Sequence, residues 1–353
     1  MGRVAVLLCA AMVSASWMGC RSTRSRPAGR ASGRQRASWC RETLDRATAY
    51  AREIGSAAVL VLEDGEVVFS FGDTEAKYQC HSIRKPFLGA LYGIYVDRGA
   101  IDLDATLEEL GIDDIPPPLT PAEKQATIHD LLRSRSGVYH EAAGEHPAMV
   151  RARPERGSHP PGSYFYYNNW DFNALGTIFE QLTGKRIFGA FYEEIAVPIG
   201  MQDFSFADCS YSFERSKSRH PAYFFRMSTR DLARFGLLYQ RGGRWGDRQL
   251  VPEEWVRRST TVEPAGDPET AGSPEGRPRD RSSGDPYGYL WRIIPEEAGV
   301  GPGFYHGGLG VHLLAVLPER KLVLVHRVDT DRDFDVRWPE IKALMELIVS
   351  ARE

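Results

Sequence analysis

An α+β fold is the class this sequence predicts, and three observations carry the expectation. Apolar β-type runs gather towards both ends of the chain, before residue 72 and after residue 288. Between about residues 100 and 260 the pattern reads mainly as helices and loops. At 353 residues, with 42% hydrophobic and 26% charged side chains, the chain suits one large soluble domain or two interleaved subdomains. The strands of the two ends are therefore expected to share one antiparallel sheet flanked by helices, with a mainly helical lobe inserted between them.

The first element is an apolar run from Val4 to Met18, preceded by Arg3 and followed by Gly19 and Cys20. It is short for a spanning helix, and a small residue before a cysteine resembles a bacterial lipoprotein signal. Residues 1–20 are thus expected to act as an export signal towards the envelope or periplasm, with Cys20 as the lipidated residue. An uncleaved anchor, or a cytoplasmic chain whose true start lies further on, is the alternative. Residues 21–40 carry Arg21, Arg24, Arg26, Arg30, Arg34 and Arg36, no acidic residue and almost no apolar side chains, and read as a disordered linker. The folded domain is expected over 41–353.

Within it, Ala57 to Glu63 and Glu66 to Phe71 are strands joined by the hairpin signal Asp64-Gly65. A helix is expected from about His81 to Asp97. Its stripe of Ile83, Phe87, Leu91 and Tyr95, with Leu88 and Ile94 beside it, predicts burial on most sides. Further helices are read at Ile128–Arg133, Trp170–Leu182 (stopped by Gly184), Ser228–Tyr239 and Pro252–Arg257. Residues 264–286, rich in Pro, Gly, Ser and charge, read as a surface loop. Strands are expected at Tyr289–Ile294, Val311–Leu317 and Leu322–Val328, and an amphipathic helix at Pro339–Val349.

A net charge of −3 argues against nucleic acid as a main partner. The cysteines are Cys9, Cys20, Cys40, Cys80 and Cys209; beyond the signal, at most one disulfide is available, and none has metal-site spacing. His140-Glu141 and His146 do not make a zinc-protease helix, because the second histidine falls six residues on, off the face. No G-x-S-x-G elbow and no glycine-rich phosphate motif occurs.

The chemistry gathers in three short sets: Ser82-Ile83-Arg84-Lys85, Tyr167-Asn168-Asn169 and His306-Gly307-Gly308. A serine three residues before a lysine on a helix puts hydroxyl and amine on one face. A hydroxyl becomes a useful nucleophile when a nearby base takes its proton, and a lysine held in a dry site is such a base. The plain alternative is a capping serine and a solvated lysine, but Lys85 stands among apolar neighbours where an idle charge would be costly. Asn169 has its own plain reading as the N-cap of the helix beginning near Trp170, and the aromatics at 164–167 as core. For His306-Gly307-Gly308 the plain reading is a glycine-rich turn ahead of a strand.

Together the three sets resemble the serine β-lactamase and penicillin-binding protein superfamily, in particular its class C-like branch, where the second set is Y-x-N. The stretches Leu131–Val138, Pro161–Phe165 and Met227–Gly236 are similar to that branch too, so the resemblance runs from about residue 45 to 350. It implies a nucleophile at Ser82, a proton-handling pair in Lys85 and Tyr167, and substrate contacts from Asn169, His306, Gly307 and Gly308. It also implies an oxyanion hole from the backbone N–H groups of Ser82 and Leu309, and neither metal nor organic cofactor. The implied partner is a small-molecule or peptide substrate. Three departures bear on specificity: Asn168 in the middle of Y-x-N, Pro86 after the lysine, and a third set lacking both lysine and hydroxyl. The last favours an esterase or amide hydrolase over an efficient β-lactamase, with a D-alanyl peptidase between them. A non-catalytic envelope protein that binds cell-wall fragments on the same fold is the competing expectation.

Overall fold

The computed structural model describes residues 38–263 and 286–353. The expected signal with Cys20, the arginine-rich stretch up to residue 37, and residues 264–285 of the expected loop lie outside the described residues. In chain order the elements are α1 (Arg41–Glu53), β1 (Ala58–Glu63), β2 (Glu66–Gly72), β3 (Lys77–Gln79), a 3₁₀ turn at His81–Ile83, α2 (Arg84–Asp97), α3 (Ile128–Leu132), α4 (Pro147–Ala152), α5 (Asn169–Thr183), α6 (Ile187–Phe191), β4 (Cys209–Ser212), β5 (Ala222–Ser228), α7 (Thr229–Gln240), β6 (Arg244–Trp245), β7 (Arg248–Gln249), α8 (Glu253–Ser259), β8 (Arg292–Ile294), β9 (Gly303–Gly308), β10 (His312–Leu317), β11 (Leu322–Arg327) and α9 (Trp338–Ser350).

The strands of both ends share one six-stranded antiparallel sheet, ordered β2-β1-β11-β10-β9-β8. The hairpin signal holds: Asp64 and Gly65 both take positive φ, 51° and 90°, the geometry that matches strand twist in a two-residue turn. Alternate residues of the central strands serve opposite cores, which is why these strands are nearly continuous apolar runs. Leu60, Leu62, Leu314, Val316, Val323 and Val325 face the larger core, shared with α2, α5 and α7. Val59, Val61, Leu313, Ala315, Leu322 and Leu324 face a smaller core closed by α1 and α9. As the stripe predicts, α2 is buried from Arg84 to Tyr95.

Five parts differ from the sequence reading. The lobe carries a second sheet, β3-β5-β4, where only helices and loops are expected; β3 is three residues long, too short to show a period. Helix α1 is also unexpected, because it buries only the small side chains Ala47 and Ala51 in an otherwise polar helix. Residues 38–40 are not free linker: Cys40 N–H donates to the Ala351 carbonyl (2.7 Å), and Trp39 Nε1 donates to Glu63 (2.8 Å). Strand β9 takes in the third set itself, and the strand expected from Tyr289 begins only at Arg292, after Leu290 turns at φ 59°. No helix among the described residues is long and apolar enough to cross a membrane.

Candidate active site

Ser82 lies in the 3₁₀ turn that leads into α2, so the serine and Lys85 do fall on one side of a helical start. The residue before it, His81, holds φ at +47°, a left-handed conformation that costs a non-glycine residue about 1–3 kcal/mol and recurs at functional turns. A hydrogen bond between His81 Nε2 and Thr330 Oγ1 (2.8 Å) fixes that ring. Burial, reinforced by the Arg84 and Arg327 charges, pushes the His81 pKa down to about 4, so the ring is neutral at neutral pH. Lys85 is fully buried, and its Nζ donates to Ser82 Oγ (2.6 Å) and to Tyr167 OH (2.6 Å). The same Nζ also stands 4.5 Å and 4.3 Å from the ring centres of Tyr167 and Phe172, over their faces. Hydroxyl, amine and phenol therefore meet at one nitrogen, although 82 residues separate Lys85 from Tyr167.

The second set divides its work differently from the expectation. Asn168, not Asn169, is the N-cap of α5: its Oδ1 accepts from Asp171 N–H (2.8 Å), and its Nδ2 donates to the Tyr166 carbonyl (2.7 Å). Asn169 is the first helical residue and is buried; Nδ2 donates to the Gly144 carbonyl (2.6 Å), while Oδ1 has no hydrogen-bond partner among the described residues. Asp171, two residues on, is fully buried and accepts from Ser136 Oγ (2.5 Å). Burial pushes its pKa up to about 8 from 3.8, against the opposing hydrogen bonds of Ser136 and Asn168. The native state thus keeps a proton that the unfolded chain loses near pH 4. The stability this confers is complete below that pH and declines as pH rises through about 8. Asp171→Asn, which is neutral throughout, should gain in thermal stability relative to the parent between pH 5 and 8.5, as read by melting curves. A constant difference across that range would remove Asp171 as the source.

The third set is a strand rather than a turn. His306 on β9 is fully buried, its ring centre 6.3 Å from that of Tyr167. Its Nδ1 faces the Gly307 carbonyl at 2.8 Å and so carries the proton, leaving Nε2 a buried acceptor without a partner among the described residues. Burial, then the charges of Lys85 and Arg292, lowers the His306 pKa well below the ordinary histidine range, so it adds no positive charge. The glycines admit neighbours from within the protein. A Cβ on Gly307 would stand 2.5 Å from the Trp338 ring of α9, and one on Gly308 would stand 2.9 Å from the Cys80 carbonyl. Gly308 thereby lets the end of β9 close on the segment that carries Ser82. Leu309 follows with its side chain half exposed, at the start of the turn through Gly310 and Val311.

Two buried arginines join the site without having been singled out in the sequence. Arg292 on β8 places its guanidinium carbon 5.0 Å over the Tyr167 ring, and Arg84 lies between Ser82 and Lys85. The argument that draws attention to Lys85, a charge within an apolar run, applies equally to both. His140, by contrast, is bonded to the carbonyls of Ile115 and Glu141, a structural role. Among the described residues Cys80 and Cys209 are free thiols, and no cluster of His, Cys, Asp or Glu is arranged to hold a metal ion.

The sequence matches the beta-lactamase family model over residues 41–344. The chain belongs to the beta-lactamase family. Solved structures share the fold at low identity. A penicillin-binding protein homologue from Caulobacter crescentus is 15% identical over 89% of this chain and 99% of its own, with a TM-score of 0.64. The octameric penicillin-binding protein homologue from Pyrococcus abyssi is 19% identical over 87% of this chain and 76% of its own, with a TM-score of 0.60. A D-stereospecific amidohydrolase from Streptomyces sp. is 17% identical over 85% of this chain and 96% of its own, with a TM-score of 0.58. No curated protein matches the sequence.

Proposed function

We propose that this chain is a serine hydrolase that forms an acyl-enzyme at Ser82 on an ester or amide substrate. The observation that carries the reading is the fully buried Lys85 Nζ, bonded to both Ser82 Oγ and Tyr167 OH. In the proposed sequence Ser82 Oγ attacks the substrate carbonyl while its proton passes to the Lys85–Tyr167 pair. The carbonyl oxygen becomes an oxyanion held by the backbone N–H groups of Ser82 and Leu309. As the bond to the leaving group breaks, the pair returns that proton to the departing oxygen or nitrogen. Water then attacks the acyl-enzyme, giving a proton to the same pair, which returns it to Ser82 Oγ as the acyl bond breaks and the acid is released.

Substrate preference follows from the third set. A neutral, buried His306 offers no cation from β9, so substrates that rely on a charge there to hold a carboxylate, as β-lactams and D-alanyl peptides would, should turn over slowly. Esters and amides that need no cation from β9 are the favoured class. Intact-protein mass spectrometry after exposure to a fluorophosphonate probe or a p-nitrophenyl ester is expected to show one adduct, mapped to Ser82 and missing from Ser82→Ala. A folded protein that gains no adduct and turns over no ester would instead be a binding module on this fold.

A further inference from the structure

Arg84 is a cation held in the interior with most of its hydrogen-bonding capacity unused. It is 2% exposed, and among the described residues no carboxylate lies within ion-pair distance of it. Its two faces are covered by aromatic rings of β5, with the guanidinium carbon 5.0 Å from the centre of Tyr223 and 4.9 Å from that of Phe224. Nη1 donates to the His81 carbonyl at 3.3 Å, while Nε and Nη2 have no acceptor among the described residues. Those two atoms share one edge of the guanidinium, and their N–H bonds run parallel, the fork that takes both oxygens of a carboxylate at once.

Arg327 provides the comparison within the same molecule. It is just as buried and also has no carboxylate partner among the described residues, yet it donates to the carbonyls of Tyr78, Gln79 and Met227 and to His312 Nδ1. The protein thus satisfies the donors of Arg327 with its own carbonyls, which it does not do for the free edge of Arg84. An unpaired buried charge is strongly unfavourable, and an unmade buried hydrogen bond adds to that cost. Arg84 bears both in the middle of the Ser82–Lys85 set. The other unpartnered atoms of the three sets, Asn169 Oδ1 and His306 Nε2, are acceptors and compete for no anion.

We propose that the free edge of Arg84 binds a carboxylate of the substrate, so that the preferred ester or amide carries an acid group away from the scissile bond. The proposal rests on the acyl-enzyme reading of Ser82 and moves anion recognition from β9, where the charge is missing, to the helix that carries the nucleophile. It names the substrate class as carboxylate-bearing esters or amides whose acid group lies where β9 would not hold it.

Two ester pairs test it from either side of the scissile bond: mono-p-nitrophenyl glutarate against its methyl ester, and 4-acetoxybenzoate against 4-acetoxybenzamide. For at least one pair the ratio of kcat/KM, charged over neutral, is expected to fall by at least about tenfold in Arg84→Met. Arg84→Lys, which keeps the charge but loses the fork, should also lower it, and decides the matter where the Met variant does not fold. A smaller fall in both pairs overturns the proposal. Where no ester is turned over, the acyl-enzyme reading has failed on its own, and calorimetry with glutarate and benzoate on Ser82→Ala decides about the anion site. Binding that disappears in the Ser82→Ala, Arg84→Met double variant upholds the site; absent or unchanged binding removes it.

Discussion

Replacing Lys85 by methionine is expected to slow acylation of Ser82 by about a thousandfold or more and yet to leave the melting temperature unchanged or raise it. The two effects have one cause. Lys85 is fully buried, flanked by the Tyr167 and Phe172 rings and held to the rest of the site through a hydroxyl and a phenol. Methionine matches the stem in length and shape and removes an amine that must be kept from water. What it cannot do is take the Ser82 proton, and Ser82 and Tyr167 would no longer share a bonded neighbour. A loss of activity alone could reflect a damaged fold; a loss of activity with stability intact or improved cannot. Burst-phase acylation by a p-nitrophenyl ester and thermal melting on the same preparation check both halves. Near-normal acylation would take the lysine out of the mechanism.

The legibility of this chain follows from where its signals are local. The hairpin at Asp64-Gly65, the stripe of α2 and the spacing from Ser82 to Lys85 each depend on residues a few positions apart, and each appears in the structure where the pattern puts it. That Lys85 Nζ would bond Tyr167 was expected from the family resemblance; helical periodicity relates only near neighbours. The elements that stayed hidden have physical reasons. Strand β3 is too short to show a period, β9 is half glycine, and α1 buries alanines that carry little apolar contrast. The role of Asn168 was masked because Asn168 and Asn169 are equally good caps by composition, and only backbone angles decide: Asn168 is extended, with φ −142° and ψ 149°. The buried arginines Arg84, Arg292 and Arg327 were missed because charged side chains default to the surface, although each stands beside apolar residues in the sequence.

Of these, Arg327 should have the largest effect on the fold. It lies on the last residue of β11, in the large sheet, and reaches across to the small one. Its Nη2 donates to Tyr78 and Gln79 of β3 at 2.7 and 3.1 Å, its Nη1 to Met227 of β5 at 3.1 Å, and its Nε to His312 of β10 at 3.0 Å. Arg327→Met would leave these carbonyls buried without that donor, and a destabilisation of about 3 kcal/mol or more is expected from urea unfolding. Function should suffer beyond stability. Gln79 stands three residues before Ser82, and the Cys80 that follows it is pinned on one side by the Phe225 carbonyl (2.8 Å) and approached by Gly308 on the other. Freed from Arg327, β3 no longer fixes the strained His81 turn, so the serine should spend less time within reach of Lys85. Acylation measured at a temperature where the variant is still folded should therefore fall, and Arg327→Lys, which restores one cation without the fork, should recover only part of either loss. Unchanged stability in Arg327→Met would mean that the two sheets are held together by packing alone. Unchanged acylation in a destabilised variant would mean that the strain at His81 is maintained by its own bond to Thr330.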